Sequence, residues 1–230
     1  MFIIKTIYEI INFVINMHNI VSNITTITKE LSAINSNTKI IAVSKTFTMS
    51  YIKPLVDHGH VDFGENKVQE AINKWTETKE KNQDIKLHLI GKLQTNKVKF
   101  CLPLFDYIHS LDSIKLADKI ANEQTKKNFK PKIFIQVNVG DENQKSGVAL
   151  RDFESFYKKI TGDFDLNIIG LMCIPPFVDD TKKYFEKMNE LKSKTNLNEL
   201  SMGMSNDYVE AAKCSSTYVR VGSKIFGARN

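Results

Sequence analysis

Lys45 closes the run Ile40-Ile41-Ala42-Val43-Ser44-Lys45, so a long amine stands at the end of an apolar, β-branched stretch. Apolar surroundings disfavour the ammonium form, and a neutral amine is the nucleophile that forms a Schiff base with a carbonyl. A solvated loop lysine is the plain alternative, and position alone does not decide. Two glycine-containing loops add a second chemistry. Ser201-Met202-Gly203-Met204-Ser205-Asn206-Asp207 offers a turn glycine and two hydroxyls ahead of a helical Asp207–Lys213. Val221-Gly222-Ser223-Lys224-Ile225-Phe226-Gly227 offers amides at Gly222 and Ser223 that a ligand can approach closely. Each has the composition of an anion cradle at a helix start, although an N-cap serine and a turn glycine would read the same way. Arg220, directly before the second loop, is one of only three arginines, with Arg151 and Arg229, in a chain that otherwise uses lysine. A guanidinium is a planar, permanently charged donor, and a pyridine nitrogen facing it would stay unprotonated.

The elements that must position these residues follow from periodicity. Short apolar runs at Lys39–Val43, Val61–Phe63, Lys86–Ile90, Tyr107–His109, Lys132–Asn138, Asn167–Met172, Glu199–Ser201 and Thr217–Val221 read as strands. Helical patterns lie between them, as at Asn66–Trp75, Ser113–Thr125, Asp152–Ile160 and Thr181–Leu191. Alternation of this kind predicts βαβ units around a parallel sheet, and eight strands close a (β/α)8 TIM-like barrel, with a doubly wound open sheet as the alternative. In a barrel, chemistry sits at the C-terminal ends of the strands, and phosphate prefers the loops after strands seven and eight. Lys45 and both glycine loops satisfy that demand.

The 230 residues suit one domain, 1–230, with residues 1–38 as a helical lead-in. Hydrophobic content of 42% and charged content of 25% are those of an ordinary globule. The net charge is +6, but the lysines are dispersed among acidic and amide residues, with no basic run, which argues against nucleic acid. Cys101, Cys173 and Cys214 form neither a disulfide framework nor a zinc spacing, which points to a reduced, cytoplasmic setting. The first twenty residues are apolar, yet Lys5, Glu9, Asn12, Asn16 and Asn19 interrupt any bilayer-length run, so an amphipathic helix is expected there. Met17 offers an alternative start.

The segments AVSK (42–45), FGENKVQE (63–70), HLIGKLQTNKVK (88–99), SLDS (110–113), QVNVGDENQKSG (136–147), GLMCIPP (170–176), LSMGMSNDY (200–208) and VRVGSKIFGAR (219–229) occur in this order. Together they resemble the pyridoxal phosphate homeostasis family, the proline synthase co-transcribed homologues, from residue 39 to the C-terminus. The resemblance implies a fold-type III pyridoxal 5′-phosphate barrel similar to the N-terminal domain of alanine racemase. It makes Lys45 the Schiff-base lysine, and gives the phosphate to Ser205, Gly222 and Ser223, with Ser201 and Met204 nearby. It sets Arg220 against the pyridine nitrogen and Asn66 along the cofactor's edge. His88, Gln94, Asn96 and Lys97 match a family motif but stay outside the expected site. One departure stands out: Cys214-Ser215-Ser216 replaces a turn where the family usually carries glycine.

The resemblance further implies a protein that binds, stores or delivers pyridoxal phosphate, with PLP-dependent apo-enzymes as recipients, no membrane or nucleic-acid partner, and a monomer or weak dimer. A racemase needs a second acid/base group, which in alanine racemase comes from a C-terminal β-domain. The chain ends directly after the last barrel element, and Arg220 disfavours a strongly delocalised carbanion, so efficient racemisation is not expected. A weak racemase using Lys45 and a histidine such as His88 or His109 is the first alternative. A Schiff-base aldolase acting on a sugar phosphate is the second.

Overall fold

The structure, a computed structural model, describes residues 19–142, 144–178 and 180–227. Helix α1 covers 19–34, and the part of the expected leading helix before residue 19 lies outside the described residues. The strands are β1 (Lys39–Val43), β2 (Asp62–Glu65), β3 (Lys86–Leu89), β4 (Tyr107–Leu111), β5 (Lys132–Asn138), β6 (Val148–Ala149), β7 (Asn167–Cys173), β8 (Glu199–Met204) and β9 (Tyr218–Val221). Helices α2 (Met49–Asp57), α3 (Val68–Lys81), α4 (Val98–Cys101), α5 (Ile114–Lys127), α6 (Phe153–Asp163), α7 (Lys182–Ser193) and α8 (Tyr208–Lys213) fill the crossovers, and α9 (Ser223–Phe226) follows the last strand.

Every strand pairing is parallel, and the order β4-β3-β2-β1-β9-β8-β7-β5 is closed by a β4–β5 pairing. The result is an eight-stranded (β/α) barrel, as expected, with the two-residue β6 added to the end of β5. Strands buried on both faces must be apolar throughout, and β1 shows why Ile-Ile-Ala-Val forms one: four of its five residues are buried.

Side chains alternate between the barrel interior and the helical layer. Ile41, Tyr107, Phe134, Met172 and Tyr218 make a separate apolar cluster inside the barrel. The larger cluster lies between strands and helices and includes Trp75, whose indole packs 4.7 Å from the Phe63 ring. Helix α1 buries Ile20, Ile24, Ile27 and Leu31, a single face at helical spacing. It is tied to the last elements by Asn23 Nδ2 donating to the Ile225 carbonyl at 3.0 Å and by Tyr208 donating to Glu30. Among the described residues, no helix is long and apolar enough to cross a membrane.

Candidate functional site

A cleft of about 740 Å³ opens at the C-terminal ends of the strands. Lys45, Asn66, Met204, Ser205, Arg220, Gly222 and Ser223 all line it, so seven of the eight expected residues meet there from four separate parts of the chain. Ile90, Lys145, Ile174, Pro175, Phe177, Val178 and Asp207 also line it. The loop after β7 and Lys145 were not expected. Their signal was present in the GLMCIPP and QKSG segments, but nothing in their composition marked a lining role.

Lys45 follows β1 by two residues, with Val43 below it in the same cleft. Asn66 follows β2, and its Oδ1 is buried without a hydrogen-bond partner among protein atoms. A polar atom in that condition calls for a ligand or water. Gly91 permits the placement, because a β-carbon there would stand 2.4 Å from the Asn66 carbonyl oxygen. The two glycine loops touch: the Gly222 amide donates to Ser205 Oγ at 3.2 Å. Gly203, with φ +90°, lets β8 turn over α8, where a β-carbon would meet the Ala211 methyl at 2.5 Å. Asp207 Oδ1 accepts the Met204 amide at 2.6 Å and closes that loop. Helix α9 begins its own bonding with the Ile225 amide to the Gly222 carbonyl at 2.9 Å, which leaves the preceding amides at the rim of the cleft.

Ser201 is the exception among the expected residues. It is fully buried and sits one layer below the cleft, at the level of Tyr218, because a β-bulge separates it from Met204, which pairs with Arg220. Its hydroxyl belongs to the floor. Arg220 Nη1 donates to Ser201 Oγ and to the Ser201 carbonyl, both at 2.7 Å, and Nη2 donates to the Cys173 carbonyl at 2.8 Å. The guanidinium is therefore fixed from beneath in a planar fork. Burial lowers its pKa, with the Cys173 and Asp207 sites opposing that, yet guanidinium stays charged in proteins.

The floor continues through the barrel. Ser201 Oγ lies 2.9 Å from His109 Nδ1, His109 Nε2 lies 2.9 Å from His88 Nδ1, and His88 Nε2 lies 2.9 Å from Asp62 Oδ1. Donor order assigns the protons. Asp62 only accepts, so His88 carries its proton on Nε2 and accepts on Nδ1. His109 then carries its own on Nε2, accepts on Nδ1, and receives the Ser201 proton, while Ser201 receives from Arg220. Desolvation lowers the pKa of His88 and takes that of His109 well below the ordinary value, so both imidazoles are neutral. Burial works most strongly against the Asp62 charge, but the His88 hydrogen bond and the electrostatic pull of His88, His60 and Lys39 together hold the carboxyl below its usual range. Neither histidine lines the cleft, and both are fully buried. Their place as the second acid/base group of a racemase is corrected accordingly. In the sequence the two stand as separate strand-end histidines, and no motif marks Asp62.

The "Alanine racemase, N-terminal domain" family model matches residues 15–230. The pyridoxal phosphate homeostasis protein of Haemophilus influenzae is 36% identical over 226 residues, covering 94% of this chain and 95% of that protein. The chain belongs to the pyridoxal phosphate homeostasis protein family. The family's protein from Aquifex aeolicus is also 36% identical, over 83% of this chain and 87% of its own length. Among solved structures, PipY of Synechococcus elongatus PCC7942 with PLP bound superposes with a TM-score of 0.81 at 32% identity, over 90% of this chain and all of PipY. Alanine racemase from Corynebacterium glutamicum, 14% identical with a TM-score of 0.69, shares the fold across 93% of this chain and 61% of its own.

Proposed function

We propose that this protein binds pyridoxal 5′-phosphate through Lys45 and serves intracellular homeostasis of that cofactor, holding and delivering it to PLP-dependent apo-enzymes without efficient turnover of its own. The observation that carries the reading is the convergence of Lys45, Asn66, Arg220 and the Ser205–Gly222 contact on one cleft. The residues fit the group. Asn66 Oδ1, buried and lacking a protein partner, is available to a hydroxyl of the ligand. The Ser205 and Ser223 hydroxyls and the Ser223 amide would hold the phosphate, Gly222, whose amide supports Ser205 Oγ, would let it approach closely, and Arg220 would face the ring nitrogen and keep it unprotonated. When bound, the cofactor supplies a reactive aldehyde, and Lys45 provides the amine that keeps it from other amines. Met204, about a third exposed, lines the same cleft and would cover the outer edge of the group.

Against efficient racemisation, the cleft carries no histidine or tyrosine among its described lining residues. A guanidinium facing the ring nitrogen would also weaken the ring's capacity to accept electrons. Absorbance in the visible followed by borohydride reduction and peptide mass mapping tests the reading. A yellow protein with the pyridoxyl mass on the Lys45 peptide, and a colourless Lys45→Ala variant, are expected. A colourless wild type unable to take up added cofactor sinks it. Deuterium exchange at the α-carbon of added amino acids separates carrier from weak racemase.

A further inference from the structure

The residues on either side of Lys45 are held from outside the barrel by a cluster that does not line the cleft. Val43 lines the cleft with Lys45, so alternation turns Ser44 outward, toward α3. Ser44 Oγ donates to Glu65 Oε1 at 2.8 Å. From α3, Lys74 Nζ donates to the Ser44 carbonyl at 3.0 Å, to Glu65 Oε1 at 2.9 Å and to Glu70 Oε1 at 3.0 Å. An ammonium carries three protons, and these three acceptors take them all. The Lys74 side chain is 8% exposed and that of Glu65 fully buried, so each charge depends on the other for solvation. Trp75 Nε1 adds a further donor to Glu65 Oε1 at 2.9 Å.

On the other side of Lys45, the Thr46 amide donates to Glu70 Oε1 at 2.6 Å. Thr46 has φ +71°, a left-handed conformation that a β-branched residue rarely adopts. Such a conformation persists where the surroundings over-determine it, and here one carboxylate and one ammonium grip the chain before and after the same lysine. Burial opposes the Glu70 charge, but the Thr46 amide and Lys74 more than offset it, which keeps the acceptor ionised. Helix α3 does not need Glu70 for its own packing, since Val68, Ala71 and Trp75 bury its inner face.

We propose that Glu70, Lys74 and Glu65 form a brace that holds the left-handed turn at Thr46 and thereby sets the direction in which Lys45 enters the cleft. Glu70 and Lys74 are then positioning residues for capture of the cofactor, a role that rests on Lys45 being the attachment amine. Glycine adopts the same turn without strain, and this supplies the test.

Glu70→Ala should slow pyridoxal phosphate uptake, followed in the visible, by about tenfold, within the range that misorientation of a reacting group costs. Glu70→Gln keeps an oxygen for the Thr46 amide and should recover most of the rate. Thr46→Gly should leave it near wild type, and Thr46→Gly with Glu70→Ala should restore what Glu70→Ala loses. Brief reductive methylation of the cofactor-free protein with formaldehyde and cyanoborohydride, read on the Lys45 peptide across pH, reports the same lysine without pyridoxal phosphate. Its profile should shift in Glu70→Ala and return in the double variant. Wild-type uptake and methylation in Glu70→Ala, or a double variant as slow as Glu70→Ala, overturns the brace. A pyridoxyl mass on a different lysine of the wild type overturns the attachment reading instead, and the methylation profile still judges the brace.

Discussion

Ser201→Ala should cut the interior chain from Arg220 to Asp62 at its middle. The substitution removes one oxygen from a fully buried site and disturbs little packing. Arg220 keeps most of its support, since Nη1 still donates to the Ser201 carbonyl at 2.7 Å and Nη2 to the Cys173 carbonyl at 2.8 Å. The loss falls on His109. Its Nδ1 accepts from Ser201 Oγ at 2.9 Å, its ring is stacked 4.3 Å from Phe134, and the residue has no exposed surface through which water could replace the donor. Orphaning a buried acceptor costs about 1–3 kcal/mol. For a chain of this length each kcal/mol moves Tm by about 2–4 °C, so a fall of roughly 2–12 °C is expected by calorimetry.

The donor order also predicts non-additivity. His109→Phe should destabilise by itself, because His88 Nδ1 loses its donor at 2.9 Å. In that background Ser201→Ala no longer strands His109, so the pair should couple by about 0.5–3 kcal/mol. An unchanged Tm in Ser201→Ala, strict additivity in the cycle, or imidazole nitrogen shifts showing His109 protonated on Nδ1 would each refute the assigned direction. Full Arg220 function with a broken chain would show that the Ser201 and Cys173 carbonyls suffice to hold the guanidinium.

Two further outcomes follow from buried groups and backbone conformation. Ser215 has φ +62°, where a side chain costs about 1–2 kcal/mol and glycine is free, so Ser215→Gly should gain about 0.5–1 kcal/mol after glycine's greater unfolded freedom is counted. A rise in the urea midpoint checks it, and a fall refutes it. Burial depresses His60, His88 and His109 below the ordinary 6.5, so between the folded and unfolded values the unfolded chain binds more protons. Their contribution is complete above about pH 6.5 and is lost as the pH falls below it, at up to about 1.4 kcal/mol per pH unit for each histidine. Asp62, also depressed, adds to the loss only in the carboxylate range. A urea midpoint that stays flat from pH 7 to pH 5 contradicts this.

How far these features were legible depends on what each needed. The strands Lys39–Val43 and Lys132–Asn138 were readable to the residue, since dense β-branched runs end abruptly at polar neighbours. Other strands run past their expected ends into Glu65, Ser110 and Leu111, Cys173 and Met204. Apart from Met204, these end residues are buried, the polar ones among them included, and polarity read along the chain cannot register burial supplied by another element. β6 was invisible because two residues carry no period. Seven of the expected site residues lie at strand ends or within two residues past them, and these line the cleft. Ser201 lies below it, because its level is set by the stagger of β8 against β9 and by a bulge, neither of which is local. The His88–His109 pair fails for the same reason: the residues lie on adjacent strands, and only barrel closure turns both rings inward.

Two of the four left-handed non-glycine positions among the described residues, Thr46 and Ser215, show how the same backbone outlier carries different meanings. Ser215 is held by main-chain bonds, its amide to Ala212 and those of its neighbours to Glu210 and Ala211, as any helix end would be, with one neutral side chain beside them, Asn189 Nδ2 donating to the Cys214 carbonyl at 2.7 Å. No charged group grips it. Thr46 lies beside Lys45, and its amide is taken by a carboxylate that is itself gripped by a buried ammonium. Strain that no charged group supports is a cost the fold tolerates and glycine should relieve. Strain supported by three ionised side chains on a neighbouring strand and helix is a constraint, and relieving it should matter only when the support is removed. The contrast between Ser215→Gly, stabilising by itself, and Thr46→Gly, consequential only beside Glu70→Ala, separates the two.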